Sequence, residues 1–293
     1  MRLTQLRSFN AVARTGSFTA AAKFLHVSQP TVTTQVRALE DTYNVELFLR
    51  HGRKVHLTPL GEQLMLLSQH IFSLHDDATD LLNDAGKLRS GHLRVAAVGP
   101  SHVTKMLVDF NRKYPGVKIS VSTGNSQGIL NNLLEYQADV GVLARFTGDD
   151  RFLSIPFNPS PIVICTSIHH PFAKLASISI ADLHNERFIL REQGSTTRKV
   201  LEQAFATAKI SPQIVMEISS REVIREAVVQ GLGIAAVSRL EYVPSPKLHM
   251  VKIRDVAIYT YAHAVCLAER QNARIVHAFF ATLAQETTRK SLA

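Results

Sequence analysis

Apolar residues recur with helical spacing at the start of the chain. Two such sets lie between positions 9 and 25, and each predicts an α-helix. The polar segment 26–28 is too short for anything but a tight turn. A third helix follows, in which Val32, Val36 and Leu39 form one inward stripe. The pattern therefore predicts three helices, with a sharp turn between the second and the third.

The turn and the third helix are typical of a helix-turn-helix. Ser28 can cap the helix, Gln29 can fill its first turn, and Pro30 sits where a missing N–H costs little. Side chains away from the inward stripe can reach a major groove of duplex DNA. The candidate DNA-contacting residues are Ser28, Gln29, Pro30, Thr31, Thr33, Thr34 and Arg37. The alternative interpretation is an ordinary short-linked helix pair in an α-rich domain.

The next segment, 47–58, predicts two short strands around a glycine turn. Arg50, Arg53 and Lys54 lie at or beside the tip, which makes this hairpin a basic wing. Through residue 58 the chain carries eight Lys and Arg residues against three acidic residues. Such a surplus suits contacts to phosphates, which supply affinity and register. Arg50 and Arg53 are therefore further candidate DNA contacts.

A long helix is predicted after the wing, with Thr58 as its cap and Pro59 in its first position. Its apolar residues follow alternating steps of four and three: Leu60, Leu64, Leu67, Ile71, Leu74, Ala78, Leu81, Ala85 and Leu88. A single helix would leave this stripe in water, so a second copy of the chain is the expected cover. Packing of the helix on its own domain is the alternative. Residues 59–85 include five acids and no Lys or Arg, which argues against DNA contact here.

Glycines and small polar residues at 84–91 predict a hinge, and the pattern changes after it. Short apolar strands then alternate with helices, which indicates an α/β fold with a largely parallel sheet. The predicted strands are 92–98, 117–122, 138–143, 162–165, 188–190, 215–218 and 234–237. The predicted helices include 101–114, 126–136, 196–208 and 220–231.

Several strand-to-helix junctions in this region carry hydroxyl, amide and cationic side chains. Free N–H groups and the dipole at a helix start favour an anion, and Arg221 suits a carboxylate or phosphonate. Plain helix capping is the alternative role of the hydroxyl residues. The candidate effector-binding residues are Ser101, His102, Asn125, Ser126, Arg145, Ser195, Thr196, Thr197, Ser220 and Arg221.

Other function classes lack their motifs. There is no P-loop, no G-x-S-x-G and no H-E-x-x-H, so we expect no catalytic residues, no cofactor and no metal. The pair His169-His170 is interpreted as a polar loop, with metal binding as the alternative. Cys165 and Cys266 lie in apolar runs and are expected to be buried, reduced thiols, with a redox disulfide as the alternative. No membrane span or export signal is evident, and the expected location is the cytoplasm.

Taken together, the motifs resemble the LysR-type transcriptional regulators over nearly the whole chain. The residues that carry this resemblance are Leu6, Phe9, Gly16, Ser17, Phe18, Ala20, Ala21, 27–30, 35–40, Leu47, Phe48, Arg50, Arg53, Leu57 and Thr58. Two departures are Thr34, where many members have a longer polar or basic side chain, and Leu60, where a small residue is commoner. Thr34 is expected to alter base preference and to leave the fold unchanged.

The resemblance implies a winged helix-turn-helix over 1–58, a linker helix and hinge over 59–91, and an effector-binding domain over 92–293. This last domain is expected to be bilobed, like a periplasmic binding protein, with one lobe from 92–163 and 267–292 and the other from 164–266. The candidate effector-binding residues are expected to face the cleft between the lobes. A homodimer or homotetramer is expected.

The resemblance also implies a function: a regulator that binds double-stranded DNA and senses a small anionic metabolite. The amino-acid sequence of residues 194–198 and 219–228 resembles that of a subgroup associated with aminoethylphosphonate catabolism. A phosphonate is therefore the first choice of effector and a carboxylate the second. Two other classes are an architectural DNA-binding protein that needs no effector and an enzyme with a fused DNA-binding segment.

Overall fold

The computed structural model describes residues 1–51, 54–84 and 90–291. Contacts within the chain divide it into two compact units, 1–83 and 84–293. The first unit contains α1 (Leu3–Thr15), α2 (Phe18–Leu25), α3 (Gln29–Tyr43), β1 (Phe48–His51), β2 (Lys54–Leu57) and most of α4 (Pro59–Asp84). Of the predicted hinge, residues 85–89 lie outside the described residues.

The helix-turn-helix forms where the sequence predicts it. The Ser17 hydroxyl caps α2 by accepting the Ala20 N–H, and the Ser28 hydroxyl caps α3 by accepting the Thr31 N–H at 3.2 Å. Between them His26 adopts a left-handed conformation with φ of 56°, which ends α2 abruptly. The fully buried side chains of the helices' common core include Phe9, Val12, Ala21, Val32 and Val36.

The wing is anchored to α3 through one carboxylate. Oε1 of Glu40 accepts the backbone N–H groups of Leu47 at 2.8 Å and Phe48 at 3.3 Å. β1 and β2 then pair antiparallel, and the Thr58 hydroxyl caps α4 by accepting the Gly61 N–H at 3.0 Å. The start of α4 lies so close to the wing that a Cβ on Gly61 would stand 2.3 Å from the Leu47 carbonyl oxygen.

Replacing Gly61 by Ala is therefore expected to lower the free energy of unfolding of the first unit by about 1–3 kcal/mol, the usual cost of overpacking. The clash is with backbone, which cannot rotate away. Calorimetric unfolding of the full chain measures the loss. Gly124→Ala is the control, because nothing lies within 4 Å of its Cβ position. Equal stability of the two variants would show that the wing moves aside freely.

The two sides of α4 differ. On one side Ser68 is buried and accepts a hydrogen bond from the Asn10 amide at 2.7 Å, so this side packs on the helix-turn-helix. The heptad stripe lies largely on the other side. Its exposed fractions are 60% for Leu67, 54% for Leu74 and 58% for Leu81. Contacts within the first unit thus leave most of the stripe uncovered.

The strands of the second unit are β3 (His92–Ala97), β4 (Lys118–Thr123), β5 (Val140–Leu143), β6 (Phe152–Ser167), β7 (Ser177–Ile178), β8 (Arg187–Arg191), β9 (Gln213–Ile218), β10 (Ile234–Ser238), β11 (Leu248–Ile253) and β12 (Tyr259–Leu267). They form one continuous sheet with the strand order β4-β3-β5-β12-β6-β10-β8-β9, in which β11 also pairs with β6, and β7 pairs with β11. Its helices are α5 (Pro100–Lys113), α6 (Ser126–Leu134), α7 (Thr196–Ala208), α8 (Arg221–Val229) and α9 (Arg274–Ser291), with four short 3-10 helices between elements.

Two halves of this sheet form the predicted two lobes. In the first lobe β3 pairs parallel with β4 and β5, and α5 and α9 cover one apolar core. In the second lobe β8 pairs parallel with β9 and β10, and α7 covers a second apolar core. The long strand β6 serves both: residues 152–161 pair with β12, and residues 162–167 pair with β10 and β11. All of β12 pairs within the first lobe, so the chain returns there before the predicted residue 267.

Candidate functional site

The predicted outer face of α3 is open to solvent. Gln29, Thr31, Thr34 and Arg37 are exposed, whereas Val32 and the other residues of the inward stripe are buried. This face therefore presents amide, hydroxyl and guanidinium groups, which are the donors and acceptors that match base edges and phosphates.

The residues of α3 that were predicted to contact DNA differ in how freely their side chains can do so. The Ser28 hydroxyl caps the helix, and Pro30 is exposed but can offer only its ring. Thr33 is partly buried and accepts a hydrogen bond from the Gln29 amide at 3.0 Å. Gln29 is thereby held along the helix axis. Of the wing residues, Arg53 and the Arg50 side chain lie outside the described residues.

In the second unit, the starts of α6 and α7 meet across the two lobes. The buried hydroxyls of Ser126 and Thr196 lie 2.8 Å apart and share a hydrogen bond. The Asn125 amide donates to the Gln193 carbonyl at 3.2 Å, and its Oδ1 caps α6. The side-chain oxygens of Asn125 and Ser195 are thus used as helix caps, as the alternative interpretation held.

A cavity of about 260 Å³ lies beside this contact; we call it the polar cavity. Its lining includes Ser126, Arg145, Thr147, Ser195, Thr196 and Lys199. The side chains of Arg145 and Lys199 form no hydrogen bond or ion pair with any other described residue. Arg198 also lines the cavity, but Glu202 at 2.8 Å and Glu217 at 2.6 Å hold its guanidinium and raise its pKa. The polar cavity thus contains two positive charges that nothing described neutralises.

Other predicted residues line a second cavity, of about 180 Å³, which we call the α8 cavity. Ser101, Thr197 and Arg221 lie in its wall and not in that of the polar cavity. Nη2 of Arg221 pairs with the buried carboxylate of Glu241 at 3.0 Å. The sequence therefore predicted one cluster where the structure forms two.

Neither Asn125 nor Ser220 lines either cavity. The Ser220 hydroxyl caps α8 and donates to the Glu222 carboxylate at 2.8 Å. The His102 side chain lies outside the described residues.

The same region contains ionisable groups that sequence inspection did not select. Burial raises the pKa of the Glu192 carboxyl, but the hydrogen bonds and charge of Arg191, together with a backbone hydrogen bond and one from Asn125, bring the pKa below its usual value. Burial also raises the pKa of the Cys165 thiol, to about 11, although the nearby Arg225 lowers it. Lys199 could have been found from its spacing, because it lies one helical turn after Thr196. No local signal links Arg221 with Glu241.

Two family models match the chain. Residues 3–62 match the bacterial regulatory helix-turn-helix protein, lysR family, and residues 86–288 match the LysR substrate binding domain. The chain belongs to the LysR family. It is therefore a LysR-type transcriptional regulator with a DNA-binding and an effector-binding domain, and not an enzyme.

Individual LysR proteins agree with this assignment. The HTH-type transcriptional activator CmpR of Synechocystis sp. is 38% identical over 238 residues, which cover 80% of this chain and 78% of CmpR. The structure of full-length CbnR complexed with its target DNA has a TM-score of 0.74 at 23% identity and covers 97% of this chain and 99% of CbnR. The regulatory domain of Synechocystis CcmR, in complex with 2-PG, has a TM-score of 0.62 at 26% identity and covers 67% of this chain and 97% of that domain.

Further sequence predictions concern the cysteines, metals and membranes. Both cysteines are buried and unbridged, as predicted. Among the described residues, no cluster of three or more His, Cys, Asp or Glu side chains is placed to hold a metal ion. Within the same residues, no helix has the length and apolar character needed to cross a bilayer.

Proposed function

We propose that this LysR-type regulator binds duplex DNA through α3 and the wing, and that a small anionic metabolite in the polar cavity changes its effect on transcription in the cytoplasm. A phosphonate is the first choice of effector and a carboxylate is the second. The observation that carries the effector proposal is the pair Arg145 and Lys199, two cations without a described partner beside two helix starts.

The DNA-binding proposal rests on the exposed face of α3 and on charge. Gln29, Thr31, Thr34 and Arg37 are solvent-exposed on one helix. The first 58 residues carry eight basic and three acidic residues, which favours phosphate contacts. Similarity in fold to CbnR, which was solved with its target DNA, supports the same docking element.

Replacing Gln29 by Ala is expected to cost ~1–3 kcal/mol on the cognate operator and little on unrelated DNA, because Gln29 is assigned to base recognition. Arg53→Ala is the matched contrast: loss of a phosphate contact weakens binding to every sequence and reduces the salt slope by about one. Fluorescence anisotropy at several salt concentrations, on specific and nonspecific duplexes, separates the two effects. An unchanged ratio of specific to nonspecific affinity in Gln29→Ala would remove Gln29 from base recognition.

The effector proposal is supported by the shape and charge of the polar cavity. Ser126 comes from the first lobe and Thr196 from the second, so a ligand that contacts both hydroxyls binds the closed arrangement of the lobes best. The CcmR regulatory domain, which is similar over two thirds of this chain, was solved with 2-PG. The resemblance of 194–198 and 219–228 to aminoethylphosphonate regulators favours a phosphonate.

Calorimetry of the full chain with 2-aminoethylphosphonate, 2-PG and acetate tests this proposal. We expect saturable binding of at least one of these compounds, and a loss of about tenfold or more in affinity in both Arg145→Gln and Lys199→Gln. Arg112→Gln, an exposed cation on α5 outside the cavity lining, serves as the control. If none of the compounds binds, or if the Arg145 and Lys199 variants bind as well as wild type, the polar cavity is not the effector site. An effector with no negative charge would contradict the anion proposal.

We also propose that the heptad stripe of α4 pairs with the stripe of a second copy, in parallel or antiparallel orientation, to give a dimer. Exposed Leu67, Leu74 and Leu81 support this, since water would otherwise cover a long apolar surface. Effector-binding domains would join two dimers into a tetramer. The predicted hinge at 84–91 would transmit lobe closure to the DNA-binding domains.

A further inference from the structure

A buried polar contact joins α1 to α4 within a mostly apolar interface. The Asn10 amide donates to the Ser68 hydroxyl at 2.7 Å, and this hydroxyl donates to the Met65 carbonyl at 2.8 Å. Asn10 is 8% exposed and Ser68 is fully buried. Around them Leu64, Met65 and Phe72 of α4 pack against the core of the helix-turn-helix. Apolar contacts are non-directional, whereas a hydrogen bond requires a particular distance and angle.

This contact is the second of two points that hold the start of α4. At the first point Gly61 touches the wing, since a Cβ there would stand 2.3 Å from the Leu47 carbonyl oxygen. Ser68 lies about 10 Å further along the helix, at about 1.5 Å per residue. A buried polar contact restricts the arrangement of helices more sharply than apolar packing does. The hydrogen bond between Asn10 and Ser68 therefore sets the angle at which α4 leaves the helix-turn-helix.

The angle of α4 is also its angle to α3, because α1 is bonded to both helices. The buried Ser8 hydroxyl of α1 donates to the side-chain oxygen of Gln35 in α3. Beyond Gly61, α4 extends for about 35 Å. A tilt of about 10° would move its far end by about 6 Å. A small change at Asn10 thus becomes a large displacement of α3 relative to the far end of α4.

We propose that Asn10 and Ser68 are positioning residues that select the spacing between the two DNA half-sites of the dimer. This rests on the proposed pairing of α4 with a second copy, which would join the two helix-turn-helix motifs. The angle of each α4 then determines the distance between the two α3 helices. Two base pairs span about 7 Å along the duplex, so a tilt of about 10° is enough to change the preferred spacing.

The test removes both partners of the hydrogen bond together. Asn10→Leu or Ser68→Ala alone leaves a buried polar group without this partner, which destabilises the fold. The double variant replaces both groups by apolar ones of similar shape, which is nearly neutral. Thr79→Val is the matched control, because the Thr79 hydroxyl is exposed on α4 and donates to the His75 carbonyl of the same helix at 2.9 Å.

Selection of bound duplexes from a random DNA pool, followed by sequencing, measures the spacing. We expect the wild type and Thr79→Val to enrich pairs of half-sites at one spacing, and the double variant to enrich the same half-sites at several spacings. Moving the half-sites apart by two base pairs should weaken binding at least about tenfold in the wild type and less than about threefold in the double variant. Wild-type spacing preference in the double variant would overturn the proposal. Loss of the half-site sequence itself would also overturn it, since the two residues would then only support the fold.

A distance measurement tests the angle within a single chain. Lys23→Cys and Thr79→Cys place spin labels at exposed positions of α2 and α4, while the native Cys165 and Cys266 are buried and unreactive. Labelled chains diluted with excess unlabelled protein are measured by pulsed electron paramagnetic resonance. We expect a narrow distance distribution in the wild type and one broader by several Å in the double variant. Equal widths would overturn the proposal.

The two experiments separate this proposal from the proposed dimer. A dimeric mass in light scattering, with an unchanged spacing preference in the double variant, overturns the role of Asn10 and Ser68 and leaves the dimer intact. A monomeric mass of the wild type contradicts the dimer, and the selection of spacing then fails with it even if the distance distribution broadens as expected.

Discussion

The double replacement Leu67→Glu and Leu74→Glu is expected to convert the regulator into a form that cannot pair through α4. Both leucines are more than half exposed within one chain, so the change costs the isolated monomer little. In a paired stripe it would bury two carboxylates per chain, and each buried ion without a partner costs several kcal/mol. Pairing should therefore be lost while the monomer stays folded.

DNA binding should fall with the loss of pairing. A dimer engages two half-sites, and linking two binding events raises overall affinity by about 10²–10⁴. We therefore expect at least about 100-fold weaker operator binding in the double variant. Light scattering measures the mass, and anisotropy measures operator affinity.

A matched control separates charge from position. Leu66→Glu with Thr79→Glu adds the same two charges to exposed positions of α4 outside the stripe. This control should retain the mass and operator affinity of the wild type. Retention of wild-type mass by the Leu67→Glu, Leu74→Glu variant would show that other surfaces hold the subunits together, and the coiled-coil proposal would then be wrong.

The helix-turn-helix could be predicted in detail because its determinants are local. Ser28 caps α3 from three residues before Thr31, and the inward stripe of α3 follows helical spacing alone. The cap of α4 at Thr58 is equally local. Glu40 is different: it lies in a predicted motif, but its role as the anchor of β1 depends on backbone groups seven and eight residues away.

In the second unit, the first ten residues of β6 were not predicted as a strand, and their sequence gives the reason. They include Pro156, Pro159 and Pro161, which weaken any strand prediction because proline cannot donate to a neighbouring strand. Its pairing with β12 joins residues about a hundred positions apart, such as Ser160 and Thr260. The sequence therefore predicted the parallel core strands and not the long pair that carries the chain between the lobes.

The candidate effector residues were predicted as a set, but their grouping required tertiary structure. Even adjacent residues at one helix start can line different cavities: Thr196 lines the polar cavity and Thr197 lines the α8 cavity. Arg221 was predicted to bind an anion, but the buried Glu241 is placed beside it by the fold. Arg221→Ala would leave Glu241 without this partner, and breaking a buried pair typically costs 3–5 kcal/mol, roughly. Arg221 is thus a poor position for testing ligand binding alone.

Thr196→Val is the sharper test of the switch, because valine keeps the shape of threonine and removes the hydroxyl that meets Ser126 across the lobes. We expect the variant to bind the authentic effector at least about tenfold more weakly, because it loses a hydrogen bond to a charged ligand. Ligand-dependent change in promoter output should disappear. Affinity of the unliganded protein for its operator should stay within about 1 kcal/mol of wild type, because Thr196 belongs to the second unit and the DNA-binding residues belong to the first.

Thr207→Val provides the control on the same helix, since the Thr207 hydroxyl bonds only the Gln203 carbonyl within α7 among described residues. This variant should keep the wild-type response to the effector. A reporter assay with and without effector, combined with calorimetry and operator titration, measures all three quantities. If Thr196→Val bound the effector as tightly as wild type and still lost the response, Thr196 would transmit lobe closure without touching the ligand. If the variant kept both effector binding and the response, the contact between α6 and α7 would have no part in the switch. A ligand shifts a conformational equilibrium only through contacts that differ between the two states of the protein.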